Sequence, residues 1–458
     1  MNIQIQAQSQ FFSVPVSDQG ESMNLIIRHK QEFMQLSIIP ADPDRALFTA
    51  HYRLPFPAEG TVLDADPRLL EYLIWQNHQP EKKPDPAHSH PRFHFSPNQG
   101  WINDPNGMYW QDGLWHLFFQ HNPLSSGWGN MHWGHAVSKD LLHWEEKEIA
   151  LYPDSTGTMY SGSAVIDHKN SADFGKDAVL LFYTARSDTT PHTGSQCMAV
   201  VQNGEYVKYK MNPLIPCMEG FVERDPNIVF DPDSNIWRMA LYSGNEEKKD
   251  FILLSSNDLL HWTETDRYLL PGDRECPGLR RMKDRITGQE LWVFTAANGF
   301  YRVGTISAAG KVSFLTETKR FLYGDAYAGQ FFYNAPSEKH IFMAWIRMSS
   351  GQFRSWSGCM TLPLEITLAN GELEVTPAVD VPKTPVCWKE KITLRGPAGE
   401  LIIDPQENTV RNGDKCFNIN AAEQDWTGFL IQDEALVEYA DARKRFFAAF
   451  YFSGVTLR

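Results

Sequence analysis

The feature that most restricts the fold is a repeated heptapeptide. Ser138-Lys139-Asp140-Leu141-Leu142-His143-Trp144 recurs as Ser256-Asn257-Asp258-Leu259-Leu260-His261-Trp262, so Trp144 and Trp262 are 118 residues apart. A helix, a single sandwich or an α/β unit has no reason to write the same seven-residue phrase twice at such an interval. Four-stranded sheets repeated around an axis do, because equivalent corners of different blades need the same local bonds. At about 50–60 residues per blade the offset is two blades, and the region between residues 92 and 368 holds about five. A sandwich is the structural alternative. Short strand-like runs separated by Gly, Asn, Asp and Pro turns fill that region, for example Trp115–Gln120, Ala178–Thr184, Trp237–Ser243, Leu291–Thr295 and His340–Ile346. The pattern is all-β.

The flanks read differently. Residues 1–80 form a separate β-rich extension, with a hairpin where Leu25-Ile26-Ile27 and Phe33–Ile38 flank His29-Lys30-Gln31-Glu32. One short helix is expected at Asp66–Gln76, capped by Asp66 and opened by Pro67. Residues 81–91, with Pro84 and Pro86 before Pro91, are a linker. The tail, 369–458, alternates again and reads as a β-sandwich short of several strands. The strands near Leu25–Ile39 are expected to complete it and close its open edge.

Charge and composition narrow the function. With 42 Lys and Arg against 56 Asp and Glu, the net charge of −14 argues against nucleic acid, whose binding draws on clustered cations. No apolar run approaches the ~18 residues that span a bilayer. The polar start, Met1 to Val16, lacks the basic head and apolar stretch of a secretory signal, which predicts a cytoplasmic protein. Six cysteines, Cys197, Cys217, Cys276, Cys359, Cys387 and Cys416, show no C-x-x-C pair and predict free thiols rather than a zinc site or disulfides. His88, His90 and His94 have a metal-like spacing, but their linker context reads as solvated side chains. Aromatic residues at 13 %, with 14 Trp, suit a neutral sugar and suit a β core equally well.

Three short segments carry acidic chemistry. Trp101-Ile102-Asn103-Asp104-Pro105-Asn106-Gly107 is a turn-rich stretch that can hold Asp104 at the mouth of a propeller axis. Arg224-Asp225-Pro226 sets a cation beside an aspartate, where the charge is expected to keep the carboxyl ionised. Arg274-Glu275-Cys276-Pro277-Gly278 sets Glu275 against an apolar neighbour, where burial is expected to raise its pKa towards that of a general acid. Each alone also reads as a turn.

Together and in this order they resemble glycoside hydrolase family 32, the invertases, sucrose-6-phosphate hydrolases and fructanases. The resemblance extends in register over residues 93–365, through Phe119-Gln120, Trp128-Gly129, Trp133-Gly134-His135-Ala136, Tyr160-Ser161-Gly162, Tyr327-Ala328 with Gln330, and Trp356–Pro363. It implies a five-bladed β-propeller followed by a β-sandwich, and a β-fructofuranosidase that removes terminal non-reducing β-D-fructosyl units from sucrose and short fructo-oligosaccharides. It also implies roles: Asp104 as nucleophile, Glu275 as acid and base, and Asp225 with Arg224 as stabilisers of the transition state. Retention of configuration implies two carboxyls about 5–5.5 Å apart. Asn103, Gln120, Trp128, Ser161 and Gly162 would line the fructose subsite, and Trp101 reads equally as core wall or sugar platform. Asp325 and Tyr327 would reach the leaving-group side. No metal or cofactor is implied.

Gly278 stands where most members carry an acidic residue. Transfer to a second sugar and hydrolysis of phosphorylated sucrose are the neighbouring readings. The second would need cations near the leaving group, for which Arg280-Arg281 and Lys283 are the candidates. A silent sugar-binding propeller and an inverting arabinan hydrolase are the more distant ones.

Overall fold

The computed structural model describes residues 2–4, 9–80, 90–187, 194–217, 221–245, 249–348, 355–396, 399–419 and 426–451. Five antiparallel sheets follow one another around an axis. Their innermost strands are Gly100–Gln111, Thr158–Asp167, Val222–Asp231, Gly278–Lys283 and Ala326–Phe331, each touching the next and the fifth touching the first. Trp356–Ser357 then pairs in parallel with Gly100 and Trp101 and closes the ring.

The sequence explains this layering. The second strand of a blade lies between two neighbouring blades, so both faces must be apolar. Ala178–Arg186, AVLLFYTAR, is of this kind: Leu181 and Tyr183 pack towards the first blade with Phe118 and Trp133, while Leu180 and Phe182 pack towards the third with Met239 and Leu241. Outer strands such as Glu205–Lys208 alternate polar residues towards water.

The two copies of the heptapeptide join the third strand to the outer strand in the first and third blades. In one, Ser138 Oγ accepts from the N–H groups of Asp140 and Leu141, Asp140 Oδ1 accepts from those of Leu142 and His143, and Trp144 Nε1 donates to Leu141 O at 3.0 Å. The other repeats every bond, down to Trp262 Nε1 on Leu259 O at 3.0 Å.

Three expectations about the flanks change. The propeller continues past 368, because Glu372–Pro377 forms the outer strand of the fifth blade. The C-terminal sandwich is not completed by the N-terminal strands. Its five-stranded sheet is Leu322–Gly324, Phe447–Tyr451, Leu436–Asp441, Trp426–Asp433 and Thr384–Trp388, so the edge strand comes from between the fourth and fifth blades. Its second sheet is Ile392–Gly396, Gly399–Asp404, Thr409–Asn412 and Lys415–Asn418.

Among the described residues, the N-terminal strands pair only with one another, in a four-stranded and a three-stranded sheet around a core that includes Phe12, Val14, Leu25, Ile27, Met34 and Leu36. The expected hairpin is there, Met23–His29 against Glu32–Ile38. The helix is a single turn, Pro67–Leu70, capped by Asp66 Oδ1 on Arg68 N. It stops short because Ile74–Gln76 pairs as an edge strand with Phe11–Val16, a tertiary bond that local propensity does not encode. Of the linker 81–91, residues 81–89 lie outside the described residues.

Candidate active site

All five inner strands run from the same mouth of the propeller, and four carry a break in register there. The breaks fall between Ile102 and Pro105, Tyr160 and Gly162, Arg224 and Asn227, and Tyr327 and Gln330. An extra residue in one strand of an antiparallel pair bends it and re-aims its side chain. Asp104, Ser161, Asp225 and Ala328 are the residues so released. Asp225 at φ 66° and Ala328 at φ 53° adopt a left-handed backbone, as does Cys276 at φ 49° just ahead of the fourth inner strand. Pro105 and Pro226 fit because a bulge asks no N–H of them.

These breaks, together with the left-handed turn ahead of the fourth inner strand, bring the three expected acids to one place. Asp104 accepts from Asn103 Nδ2 at 3.0 Å on one oxygen and from Ser161 Oγ at 2.6 Å on the other. Trp101 Nε1 donates to Asn103 Oδ1 at 2.9 Å and so orients the amide that serves Asp104. Trp101 is 6 % exposed and edge-on to Trp345, which makes it wall rather than platform. Asp225 Oδ2 accepts from the Cys276 N–H at 3.0 Å and lies 3.5 Å from Arg224 Nε. Arg224 also donates to Glu275 Oε2 at 2.9 Å, so one guanidinium serves two of the acids. The Tyr327 hydroxyl donates to the other oxygen of Glu275.

Burial separates the acids. Removal from water raises the carboxyl of Asp104, against the hydrogen bonds of Ser161 and Asn103. It also pushes Asp225 up to about 7; Arg224 opposes this, while Glu275 and Asp104 add to it. The expectation that Arg224 would keep Asp225 ionised by lowering its pKa is therefore corrected, because desolvation outweighs a cation shared with Glu275. Glu275 is the most open of the three, its side chain 31 % exposed.

Cys276 is the residue that the sequence did not single out. Its Sγ lies 3.5 Å from both Asp104 Oδ2 and Asp225 Oδ2, bridging the two aspartates, and burial among these acids holds the thiol protonated. No motif spacing marks a sulfur as a bridge; only the left-handed turn at 276 puts it there.

The other expected residues divide. Trp128 is exposed at the rim and edge-on to Tyr160, next to Ser161. Gln120 is buried and its amide nitrogen donates to Met159 O, so it braces the second inner strand. Gly162 is likewise a brace: its N–H goes to Asn106 Oδ1, its carbonyl accepts from Gln330, and a Cβ there would fall 1.9 Å from Phe182 O.

Asp325 is not at the site. It is 1 % exposed in the seam with the C-terminal sandwich, where Lys415 Nζ, Asn412 Nδ2 and the Tyr451 N–H use its two oxygens. Gly278 has a steric reason, since a Cβ would fall 2.2 Å from Thr295 Oγ1. His94 is not solvated: it is buried between Asp433 at 2.8 Å and Glu438 at 3.1 Å. His90 stacks on Trp356, and His88 lies outside the described residues. Among the described residues no group of three His, Cys, Asp or Glu is placed to hold a metal ion. The cationic run Arg280-Arg281 with Lys283 points to the opposite end of the axis.

Fold and site together define a class, a five-bladed propeller with three carboxylates gathered at one axial mouth, joined to a β-sandwich. The chain belongs to glycosyl hydrolases family 32: a model of that family's N-terminal domain matches residues 94–377. It is 32 % identical to the levanase of Bacillus subtilis over 373 residues, 72 % of this chain and 52 % of the levanase. It is 37 % identical to the invertase of Schizosaccharomyces pombe over 45 % of this chain and 38 % of the invertase, and 32 % identical to the sucrose-6-phosphate hydrolase of Escherichia coli over 62 % and 63 %. The chain thus spans about half the length of the curated relatives it matches. In fold it is similar to a fructofuranosidase of Schwanniomyces occidentalis complexed with fructosylnystose, at TM-score 0.65 and 22 % identity over 79 % of this chain and 91 % of that one. An exo-inulinase of Aspergillus awamori also gives 0.65, at 21 % identity over 79 % and 93 %.

Proposed function

We propose that the chain is a retaining β-fructofuranosidase acting on terminal β-D-fructosyl units of sucrose and short fructo-oligosaccharides. The observation that carries the reading is the convergence of Asp104, Asp225 and Glu275, through Cys276 and Arg224, at one mouth of the propeller. Asp104 attacks C2 of the fructosyl unit and forms an ester bond. The C2–O bond to the leaving sugar breaks as Glu275 gives that oxygen its proton. Water then gives a proton to Glu275 and attacks C2, which frees fructose and returns Asp104 as a carboxylate. Ser161 and Asn103 stabilise the Asp104 carboxylate whenever it is free. Asp225 and Arg224 hold the ring hydroxyls and the charge that develops at the ring. Tyr327 and Arg224 together hold Glu275 in place for both of its proton transfers.

A second reading, hydrolysis of phosphorylated sucrose, is favoured by Arg347, whose guanidinium lies 4.5 Å from the Tyr327 ring centroid beside Glu275. The thiols of Cys197, Cys276, Cys387 and Cys416, which form no disulfide among the described residues, support a reducing, cytoplasmic setting.

The test is a panel of sucrose, sucrose 6-phosphate, kestose, inulin and levan, following released fructose beside Asp104→Asn. Fructose from the unphosphorylated sugars, lost by at least about 10³-fold in the variant, supports the reading. No fructose from any substrate, or an equally active variant, overturns it.

A further inference from the structure

The other end of the propeller axis is a bowl of ≈ 800 Å³. It lies about 13 Å down the third inner strand from Asp225, at roughly 3.3 Å per residue to Val229. Arg280, Arg281, Lys283, Arg285, His168 and His340 line it, against only Glu290 and Glu338 among its acidic wall residues. In a chain of net charge −14 such a surface is the exception.

Pairing separates these cations. Arg281 is held by Asp233 at 2.8 Å and Glu290 at 3.7 Å, and Arg285 by Glu374 at 2.6 Å. Arg280 has no carboxylate partner among the described residues. Its Nε donates to His340 Nδ1 at 3.1 Å, and burial beside that guanidinium keeps His340 neutral, down to about 3. Its two terminal nitrogens have no acceptor among the described residues. Lys283, three residues on, likewise has no carboxylate partner there.

Arg280 also walls a second space, a cavity of ≈ 10 Å³ on the axis lined by Ser163, Asn227, Leu279 and Tyr333. The guanidinium thus stands where the axis opens into the bowl. A partly buried guanidinium without a counter-ion is costly, and a bound anion is the ordinary way to offset it. Its planar fork matches two oxygens of a phosphate, and Lys283 supplies a second point charge.

We propose that this bowl binds a phosphate group, free or carried on a small sugar, with Arg280 as its anchor. The site is separate from the proposed fructosyl site and does not depend on that reading. Its chemistry is recognition alone, with no bond made or broken.

The experiment titrates the full chain by calorimetry at fixed ionic strength with inorganic phosphate, fructose 6-phosphate and, as controls, fructose and chloride. Saturable binding of either phosphate ligand but neither control, weakened about tenfold or more in Arg280→Gln and less in Lys283→Gln, supports the proposal. Tighter binding of fructose 6-phosphate names a sugar phosphate as the source; binding of inorganic phosphate alone names the free ion. Arg280→Lys keeps the charge without the fork and should fall between, which covers the case in which Arg280→Gln does not fold. All three variants should release fructose from sucrose at the parent rate in phosphate-free buffer. No saturable phosphate binding by the parent chain, or equal binding by the Arg280 variants, overturns the proposal.

Discussion

The two β modules that flank the propeller are fastened to it by different physics. The C-terminal sandwich shares a core with the fifth blade: Leu436, Ala440, Phe447 and Ala449 sit in one apolar cluster with Phe321, Phe342 and Ala344. Its seam also buries charge, His94 between Asp433 and Glu438, and Asp325 against Lys415. The N-terminal module keeps a core of its own, touched from the propeller by Leu124, Ile149 and Tyr152. Most of its other attachments are polar: Asn130 bonds both backbone groups of Ser37 at 2.8 Å, Tyr52 meets His132, and Arg53 meets Glu148. A shared core makes two units one cooperative fold, whereas a private core leaves a module that can open alone.

The buried charges of the sandwich seam should respond most strongly to substitution. Glu438→Ala removes the carboxylate that faces His94 Nε2 and accepts from the Leu362 N–H in a site closed to water, and should cost about 3–5 kcal/mol. Urea unfolding followed by tryptophan fluorescence should show propeller and sandwich shifting in a single transition. A loss below about 1 kcal/mol would show that the seam does not depend on its charges.

The next effect is a pH dependence. The carboxylates of Glu438 and Asp433 raise His94, against its burial, to about 9 from an ordinary 6.5. A raised folded pKa gives stability that is complete below about 6.5 and lost as pH climbs through about 9, on the order of 3 kcal/mol. Urea midpoints taken between pH 6 and pH 9.5 should fall in the parent chain, and His94→Gln should remove that part of the slope.

Smaller again, Lys415→Met should cost about 1–3 kcal/mol by leaving Asp325 without its cation. Its value should lie near the lower limit, since Asn412 and the Tyr451 N–H still serve the carboxylate. Fructose release from sucrose should not change, which sharpens the assignment of Asp325 to the seam. Smallest, Asn130→Ala and Arg53→Ala should each move overall stability by about 1 kcal/mol or less, as exposed contacts do. A shift above about 2 kcal/mol in either would put the N-terminal module in the same class as the sandwich.

What the sequence made legible was what it encodes locally or by order. Ser138 and Ser256 announce their corners because every bond of those corners lies within seven residues. Asp104, Asp225 and Glu275 were found by the neighbours that surround each of them. Asp325 was misplaced because its partners, Lys415 and Tyr451, lie far along the chain. The helix at 66–76 failed for the same reason, in the pairing of Ile74–Gln76 with Phe11–Val16. The charge state of Asp225 was misread because Arg224 is visible in the sequence and the loss of water is not. Cys276 carried no signal, since nothing local says that its sulfur meets two acids.

The parallel pairing of Trp356–Ser357 with Gly100 and Trp101 has a consequence in time. The strand that carries Asp104 is made early, yet its last neighbour is made after more than half the chain has followed. During synthesis the first blade must wait with one edge bare, and the ring cannot lock until the fifth blade arrives. The sandwich waits longer still, because Leu322–Gly324 is held by Phe447–Tyr451 near the end of the described chain. Contacts so distant in sequence make for slow closure, so a nascent chain that stops early would hold its acids in an unfinished funnel.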